Sequence, residues 1–211
     1  MMKLAWGAIA ALVFATTVHA AETDKQRAPL RVGDPAPAFQ GMSDQGPEGK
    51  PVLWKSKDHA GKKILVVYFY PADMTPGCTK QACGYRDALK VLQRRDVEVV
   101  GVSGDSVENH QVFRNEYELP FTLLADPDGQ IAKAFGVKHG DGGSIVRTVD
   151  GNEVTLTRGV TAARWTFVIG PDNEIIHVDR RVDAANDSSA VMKVIAKIPE
   201  IKQEAETPKK G

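Results

Sequence analysis

Hydrophobic positions between residues 63 and 92 follow first the pattern of a strand and then that of a helix. Residues 63–70, KILVVYFY, form a continuous run of apolar and aromatic side chains, which is typical of a strand buried on both faces. A helix is predicted to start with Thr75 at the N-cap and Pro76 at the first helical position, because these residue types favour those places. Spacings of three, four and three residues define its apolar face, formed by Ala82, Tyr85, Leu89 and Leu92.

The alternation of strand and helix continues through the middle of the chain. A second apolar run at 97–104 predicts a strand. Asp105, with Glu108 three residues later, resembles a capping box and predicts a helix that extends to about Tyr117. Two further elements follow, a strand at 121–126 and a short helix at 130–135. The order βαβαβα predicts a largely parallel sheet covered by helices.

The last part of the chain has a different order of elements. Residues 165–169 and 174–179 are apolar runs separated by Pro171-Asp172-Asn173, which predicts an antiparallel hairpin. A final helix begins near Asp187 and carries Val191, Val194, Ile195 and Ile198 on one side. A βαβ half followed by a ββα half, with a cysteine at the start of the first long helix, predicts an α/β domain. We expect a thioredoxin-like fold, in which helices flank a central mixed sheet.

Two segments lie outside this pattern. Residues 140–159, GDGGSIVRTVDGNEVTLTRG, predict an inserted hairpin with its turn at Asp150-Gly151. We expect this hairpin to be exposed and to lie outside the core. Near the start of the chain, PAPAF at 35–39 and PVLWKS at 51–56 predict a small N-terminal β extension.

Residues 1–20 are typical of a cleavable secretory signal. Lys3 precedes an apolar run, and Val18-His19-Ala20 gives the small-residue end at which cleavage is expected. The run is too short, and its flanks too weak, for a stable membrane span, and a retained amphipathic anchor is the alternative. The protein is therefore expected to be periplasmic or secreted, without a stable membrane anchor after cleavage. The predicted divisions that follow are a disordered lead-in at 21–29, a folded domain at 30–198 and a flexible tail at 199–211.

Charge does not point to a macromolecular partner. The 211 residues include 27 Lys and Arg and 27 Asp and Glu, so the formal net charge is zero. Domains that bind nucleic acid instead concentrate positive charge on one face, and the sequence contains no basic cluster of that kind. We therefore expect no nucleic-acid partner.

The two cysteines of the chain, Cys78 and Cys83, lie five positions apart. Export favours disulfides, but a bridge across so short a loop adds little stability. The C-x-x-C pair of disulfide isomerases is absent. Cys78 falls in the first turn of the predicted helix, where unpaired amide groups and the helix dipole favour the thiolate over the thiol. Cys78 is therefore a candidate nucleophile, and an inert buried cysteine is the alternative.

Cys78 also completes a motif, P-x-x-x-T-x-x-C, with Pro71 and Thr75. The longer string FYPADMTPGCTKQACGYRD, residues 69–87, closely resembles the peroxiredoxin Q or bacterioferritin-comigratory-protein subfamily of the AhpC/TSA-type peroxiredoxins. The resemblance extends over residues 30–198, most of the expected mature chain. It implies a thiol-dependent peroxidase that reduces hydrogen peroxide and organic hydroperoxides.

The resemblance implies a role for each residue of the motif. Cys78 would be the peroxidatic cysteine, which attacks a peroxide oxygen and becomes a sulfenic acid. Thr75 would position the peroxide, and Pro71 would shield the sulfur from water. Arg164, in ARWTFVI, matches the arginine that stabilises the thiolate and the developing oxyanion. Three other arginines are weaker matches: Arg147 and Arg158 lie in the predicted hairpin, and Arg86 is interpreted as a structural ion-pair residue.

The resemblance further implies that Cys83 resolves the sulfenic acid of Cys78 within one chain, the atypical 2-Cys arrangement. Residues five apart in a helix are displaced by about 7.5 Å along its axis. A disulfide instead places its Cα atoms about 4.4–6.8 Å apart. We therefore expect the first turns of the helix to unwind on oxidation, and we expect Gly77 and Gly84 to ease that opening.

A non-enzymatic copper carrier with the same fold is the alternative function, with both cysteines and His139 or His177 as ligands. The Thr-Pro-Gly before Cys78 and the five-residue spacing favour the peroxidase. The histidines lack metal-ligand spacing, so we interpret all four that follow the signal segment as surface or local hydrogen-bonding residues: His59, His110, His139 and His177. No cofactor or metal is expected. The expected partners are a hydroperoxide and a thioredoxin-like electron donor. We expect a monomer or weak dimer.

Overall fold

The computed structural model describes residues 28–46 and 49–199. The predicted signal peptide and residues 200–211 of the predicted tail lie outside these ranges. Of the predicted lead-in, only residues 28 and 29 are described, and their backbone lies against Gly136 at the end of a short helix. Within the described ranges, no helix combines the length and the apolar character that crossing a membrane requires.

In the described part of the chain, seven strands form one mixed sheet flanked by four helices. The sheet strands are β1 (Gln40–Ser43), β2 (Val52–Lys55), β3 (Ile64–Phe69), β4 (Val97–Ser103), β5 (Thr122–Ala125), β8 (Trp165–Ile169) and β9 (Ile175–Asp179); the helices are α1 (Pro76–Gln93), α2 (Val107–Tyr117), α3 (Gln130–Phe135) and α4 (Asp187–Ile195). The strand order is β2-β1-β5-β4-β3-β8-β9. Parallel pairing joins β3 to β4 and β4 to β5, while β1, β8 and β9 run antiparallel to their neighbours. The thioredoxin-like prediction is therefore confirmed.

Strand β3 is central and buried along its whole length. Because successive side chains of a strand point to opposite faces, its residues contribute alternately to two cores. Tyr68 lies in the core beneath α1 and α4, where it stacks on Tyr85 at 4.9 Å between ring centroids. Phe69 lies in the core on the other face, in contact with Phe135 and Phe167. Two buried faces explain why this strand is a continuous apolar run.

The N-terminal β extension is part of the main sheet. β1 and β2 pair antiparallel, and β1 also pairs with β5 through Met42 and Ala125. The predicted ribbon is therefore an edge of the central sheet. Residues 35–39 are not a strand, although Pro35 forms an isolated bridge to Glu174.

The inserted hairpin is longer than predicted and contributes to the core. It comprises β6 (His139–Val149) and β7 (Asn152–Ala162). Asp150 and Gly151 both have positive φ, 49° and 77°, as the predicted tight turn requires. The expectation that the hairpin lies outside the core is wrong. Leu156 is 1% exposed within the core beneath α1, and three partly buried hairpin residues, Ile145, Val149 and Val154, pack against it.

The start of α2 also differs from the prediction. Ser106, not Asp105, is the N-cap, and its side chain accepts a hydrogen bond from the Asn109 amide. Asp105 is buried, and its Oδ2 accepts hydrogen bonds from the Ser103 hydroxyl and the Asp73 amide. Asp105 therefore connects the end of β4 to the loop that leads into α1.

Candidate active site

The sheet places Arg164 beside the start of α1. Phe69, the last residue of β3, pairs with Trp165, the first residue of β8. Arg164 immediately precedes that pair, at the same edge of the sheet as the loop between β3 and α1. Its Nη2 donates to Cys78 Sγ at 3.1 Å. The fold thus brings Arg164 into contact with the predicted nucleophile, from which it is 86 positions away in the sequence.

Cys78 lies in the first turn of α1, and 1% of its surface is exposed. The Thr79 amide makes a helical hydrogen bond to the Thr75 carbonyl at 2.8 Å, so by helix geometry the amides of Gly77 and Cys78 have no helical acceptor. The first turn of α1 contains no acidic residue. The positive end of the helix dipole and the Arg164 guanidinium therefore both act on the sulfur.

Gln81 holds Arg164 by a hydrogen bond, and Gly77 leaves room for its guanidinium. Arg164 Nη1 donates to Gln81 Oε1, one helical turn beyond Cys78. A Cβ at Gly77 would lie 3.3 Å from Arg164 Nη2, closer than side chains normally approach. The predicted contribution of Gly77 to helix opening is untested, but the close approach of the guanidinium gives glycine a reason to be there.

Thr75 occupies the N-cap of α1, as predicted, but its side chain makes no capping hydrogen bond. The hydroxyl instead donates to the Ala72 carbonyl at 3.0 Å. Its oxygen keeps lone pairs that can accept a hydrogen bond from an incoming hydroperoxide. Pro71 lies half-buried in the same loop, and its shielding of the sulfur stays a prediction.

The hairpin holds the loop before Cys78. Met74 has a φ of 59°, a left-handed conformation that is unusual for a residue with a side chain, and it is 5% exposed. Arg147 Nε, from β6, donates to the Met74 carbonyl at 2.8 Å. Arg147 therefore supports the loop backbone and does not contact the sulfur in the way Arg164 does.

A buried polar network lies under this loop. Asp73 Oδ1 accepts from the Tyr70 hydroxyl and Oδ2 contacts His110 Nδ1, both at 2.7 Å. Burial lowers the pKa of His110, but the charge of Asp73, its hydrogen bond and the nearby Asp105 and Leu124 carbonyl together raise that pKa above its ordinary value. Of the two interpretations of His110, the surface residue is wrong because the side chain is fully buried, and the hydrogen-bonding residue agrees with its contact to Asp73.

Two further arginines lie away from the sulfur. Arg86 Nε pairs with Asp87 Oδ1 at 2.9 Å, and Nη1 donates to the Tyr117 carbonyl; its prediction as a structural ion-pair residue is confirmed. Arg158 Nε donates to Thr161 Oγ1 within the hairpin. Arg164 is therefore the predicted arginine that the fold brings to Cys78.

Cys83 lies half-buried on the same uninterrupted helix as Cys78, and both thiols are free. Burial raises the pKa of Cys83, and the charge of Asp87 adds to this, while Arg86 opposes it. Cys83 therefore keeps its proton more readily than an ordinary thiol. Because a continuous helix separates the two residues by about 7.5 Å along its axis, the reduced fold does not permit a disulfide between them.

The histidines considered for a copper site lie elsewhere in the fold. His139 approaches Gly129 at the start of α3, and His177 pairs with Val168 in the edge strand β9. Across residues 28–46 and 49–199, no group of three or more His, Cys, Asp or Glu side chains is placed to hold a metal ion. The geometry provides no support for the copper carrier.

Comparison with known proteins identifies the family. The model of the AhpC/TSA family matches residues 32–178. The chain belongs to the AhpC/TSA family. Chloroplastic peroxiredoxin Q of Sedum lineare is 47% identical over 129 residues, which cover 56% of this chain and 66% of that protein. Peroxiredoxin Bcp of Escherichia coli K12 is 38% identical over 164 residues, which cover 78% of this chain and 94% of that protein.

Solved structures agree with this assignment. Peroxidoxin BcpB of Mycobacterium tuberculosis superimposes with a TM-score of 0.65 at 27% identity, covering 81% of this chain and 99% of that one. The bacterioferritin comigratory protein of Xanthomonas campestris, described in connection with its alkyl peroxide reduction activity, gives 0.58 at 27% identity, covering 74% and 88%. Family and geometry together support a thiol peroxidase over the copper carrier.

Sequence alone does not predict three residues of the site: Gln81, His110 and Asp187, the buried first residue of α4, whose Oδ2 accepts a hydrogen bond from Gln81 Nε2. Gln81 carried a usable signal, because a residue three positions after Cys78 lies on the same helix face. Asp187 was noted only as a helix start, and His110 was grouped with other scattered histidines. Nothing local in the sequence indicates that these two side chains are buried.

Proposed function

We propose that the protein reduces hydrogen peroxide and organic hydroperoxides by a cysteine-based mechanism in which Cys78 is the nucleophile. The observation that carries this proposal is the contact between Arg164 Nη2 and Cys78 Sγ at 3.1 Å, at the N-terminus of α1. A fixed cation and a helix N-terminus stabilise a thiolate and also stabilise negative charge that develops beside it.

The first step transfers one peroxide oxygen to sulfur. The Cys78 thiolate attacks, an S–O bond forms and the O–O bond breaks. The departing oxygen takes the bonding electrons and a proton, and it leaves as water or as an alcohol. The Thr75 hydroxyl, which already donates to Ala72, accepts a hydrogen bond from the peroxide. Arg164 and the unpaired amide of Cys78 stabilise the charge that moves onto oxygen.

The second step forms a disulfide within the chain. The Cys83 sulfur attacks the Cys78 sulfenic acid, an S–S bond forms, and water leaves. The two cysteines lie too far apart in the intact helix α1, so the first turns of α1 unwind before this step. In this atypical 2-Cys mechanism, disulfide formation therefore depends on local unfolding of α1.

A thioredoxin-like protein is the proposed electron donor. One of its two thiols attacks the Cys78–Cys83 disulfide and forms a mixed disulfide, and its second thiol then breaks that bond, so that both cysteines return to the thiol state and the donor is left as a disulfide. The signal-like residues 1–20 support export, and we propose that the protein works in the periplasm or outside the cell as a monomer or weak dimer. A donor in that same compartment is required, because cytosolic thioredoxin does not reach it.

Peroxide consumption by the purified chain tests the proposal. We expect turnover of hydrogen peroxide and cumene hydroperoxide with thioredoxin and its reductase, and loss of that turnover in Cys78→Ser. Parallel titration with Cu(I) under a competing chelator tests the alternative function. The proposal would be overturned if the chain bound Cu(I) tightly and consumed neither hydrogen peroxide nor cumene hydroperoxide when dithiothreitol replaced thioredoxin as the reductant. Turnover with dithiothreitol but none with thioredoxin would reject only the thioredoxin-like donor.

A further inference from the structure

Asp187 is a buried carboxylate that receives three hydrogen bonds at one oxygen. It is the first residue of α4 and is 3% exposed. Its Oδ2 accepts from Gln81 Nε2 at 2.7 Å, from the Tyr85 hydroxyl at 2.7 Å and from the Thr166 hydroxyl at 2.8 Å. Two of these donors belong to α1, and they stand on either side of Cys83 in the sequence.

The chemistry at the two ends of the Gln81 amide fixes its orientation. An arginine side chain has only donors, and an ionised carboxylate has only acceptors. Gln81 must therefore present its oxygen to Arg164 Nη1 and its NH₂ group to Asp187. Arg164 then has its other NH₂ group, Nη2, free to contact the Cys78 sulfur. A continuous chain of hydrogen bonds thus connects Asp187 to the nucleophile.

Asp187 is also held by parts of the fold other than the first turns of α1. Thr166 belongs to β8, inside the central sheet. At the far end of α1, Arg95 Nη2 donates to the carbonyls of Ile195 and Ile198 and so fixes the C-terminal end of α4. These contacts do not depend on residues 76–85. Asp187 therefore stays in place if the start of α1 unwinds.

We infer that Asp187 is a positioning residue for the reaction: through Gln81 it orients Arg164 toward Cys78, and through Gln81 and Tyr85 it holds the start of α1 in the helical state. The inference rests on the proposed function. Formation of the disulfide requires α1 to release Asp187, which then keeps one of its three donors, Thr166. The buried carboxylate thereby favours return of α1 to the helix once the cysteines are reduced again.

An Asp187→Asn variant tests both parts of the inference, with Asp183→Asn as a matched control. Asp183 is exposed and precedes α4, where it accepts hydrogen bonds from Ala185 and Asn186, so its variant removes a nearby charge outside the network. In Asp187→Asn, a neutral amide replaces the charged acceptor of the Gln81 NH₂ group, so the hydrogen bond that holds Gln81 against Arg164 becomes weaker. Arg164 is then held less firmly toward Cys78.

Alkylation of Cys78 in a Cys83→Ser background is the first readout, because it requires no peroxidase activity. We expect Asp187→Asn to slow alkylation by iodoacetamide at pH 7 and to slow single-turnover peroxide reduction by about tenfold, the equivalent of about 1.4 kcal/mol. We expect Asp183→Asn to leave both rates unchanged. Adding Gln81→Glu to Asp187→Asn restores a fixed acceptor for Arg164, and we expect it to recover both rates.

Amide hydrogen exchange is the second readout. In the reduced protein, the amides of residues 79–86 are expected to exchange faster in Asp187→Asn than in Asp183→Asn. Unchanged alkylation and unchanged exchange in Asp187→Asn would overturn the inference, even if the wild type proved an active peroxidase. An inactive wild type with both effects present would instead reject the proposed function and keep the role of Asp187 in orienting Arg164. If Asp187→Asn does not fold, Gln81→Met removes the same link from α1, and unchanged alkylation in that variant would overturn the inference.

Discussion

Replacing Arg164 by alanine is expected to slow the attack of Cys78 on peroxide. The substitution removes the hydrogen bond from Nη2 to Sγ at 3.1 Å and leaves Gln81 Oε1 without its donor. A hydrogen bond to a charged group contributes about 1.5–3 kcal/mol. If that amount is lost from the transition state, the second-order rate constant falls roughly 10- to 150-fold.

Single-turnover kinetics in a Cys83→Ser background isolates this step. Formation of the Cys78 sulfenic acid can be followed by rapid quench and mass spectrometry. It can also be followed by the fluorescence of Trp165, the first residue of β8, which comes directly after Arg164. Arg158→Ala is the matched control, because Arg158 bonds to Thr161 inside the hairpin. We expect its rate to equal that of the parent.

Arg164→Lys distinguishes charge from geometry. A lysine keeps one positive charge but lacks the planar fork that reaches Cys78 and Gln81 together. Its rate is expected to lie between those of the parent and Arg164→Ala. A rate for Arg164→Ala within twofold of the parent, with the fold intact, would remove Arg164 from the reaction and refute the reasoning from its contact with the sulfur.

Three further predictions concern the fold. One equivalent of peroxide is expected to speed amide exchange of residues 79–86, the first amides with helical acceptors, while β3 stays protected. Equal protection in both redox states, with the intramolecular bridge present, would reject the unwinding of α1. His110→Gln is expected to lower the free energy of unfolding most below about pH 6.5, and progressively less as pH rises through the raised pKa of His110. If urea unfolding gave the same loss of free energy relative to the wild type at pH 6 and at pH 9, a charged His110 would be contradicted. Leu156→Ala is expected to lower the free energy of unfolding by about 2–5 kcal/mol. Val146→Ala changes an exposed side chain of the same hairpin and is expected to lower it by less than about 0.5 kcal/mol. Equal losses in thermal or urea unfolding would show that the hairpin does not belong to the core.

Local sequence patterns predict most of the helices and strands and the position of Cys78 at the start of α1. The run at β3 and the Thr-Pro start of α1 follow from burial on both faces and from residue preferences at helix starts. Cys78 was placed in the first turn by that helix start alone. Arg164 is predicted through the resemblance to the peroxiredoxins, and the structure gives its reason: β8 begins opposite the end of β3.

Long-range contacts were not predictable in the same way. Gln81 and Asp187 lie 106 positions apart, and no periodicity relates them. His110 falls on an amphipathic helix, where a polar residue is normally assigned to the exposed face, yet Asp73 supplies the partner that makes its burial possible. Leu156 sits in an alternating strand of an apparent surface hairpin, and its burial depends on how that hairpin docks.

The central claim is the division of work between the two cysteines. The most direct measurement is the intact mass of the wild type, Cys78→Ser and Cys83→Ser after one equivalent of hydrogen peroxide in a single turnover. We expect the wild type to lose two hydrogens as a monomer with a Cys78–Cys83 bridge, Cys83→Ser to gain one oxygen at Cys78, and Cys78→Ser to remain unchanged. Oxidation of Cys83 in Cys78→Ser at the wild-type rate, or no reaction of folded Cys83→Ser, would contradict the account.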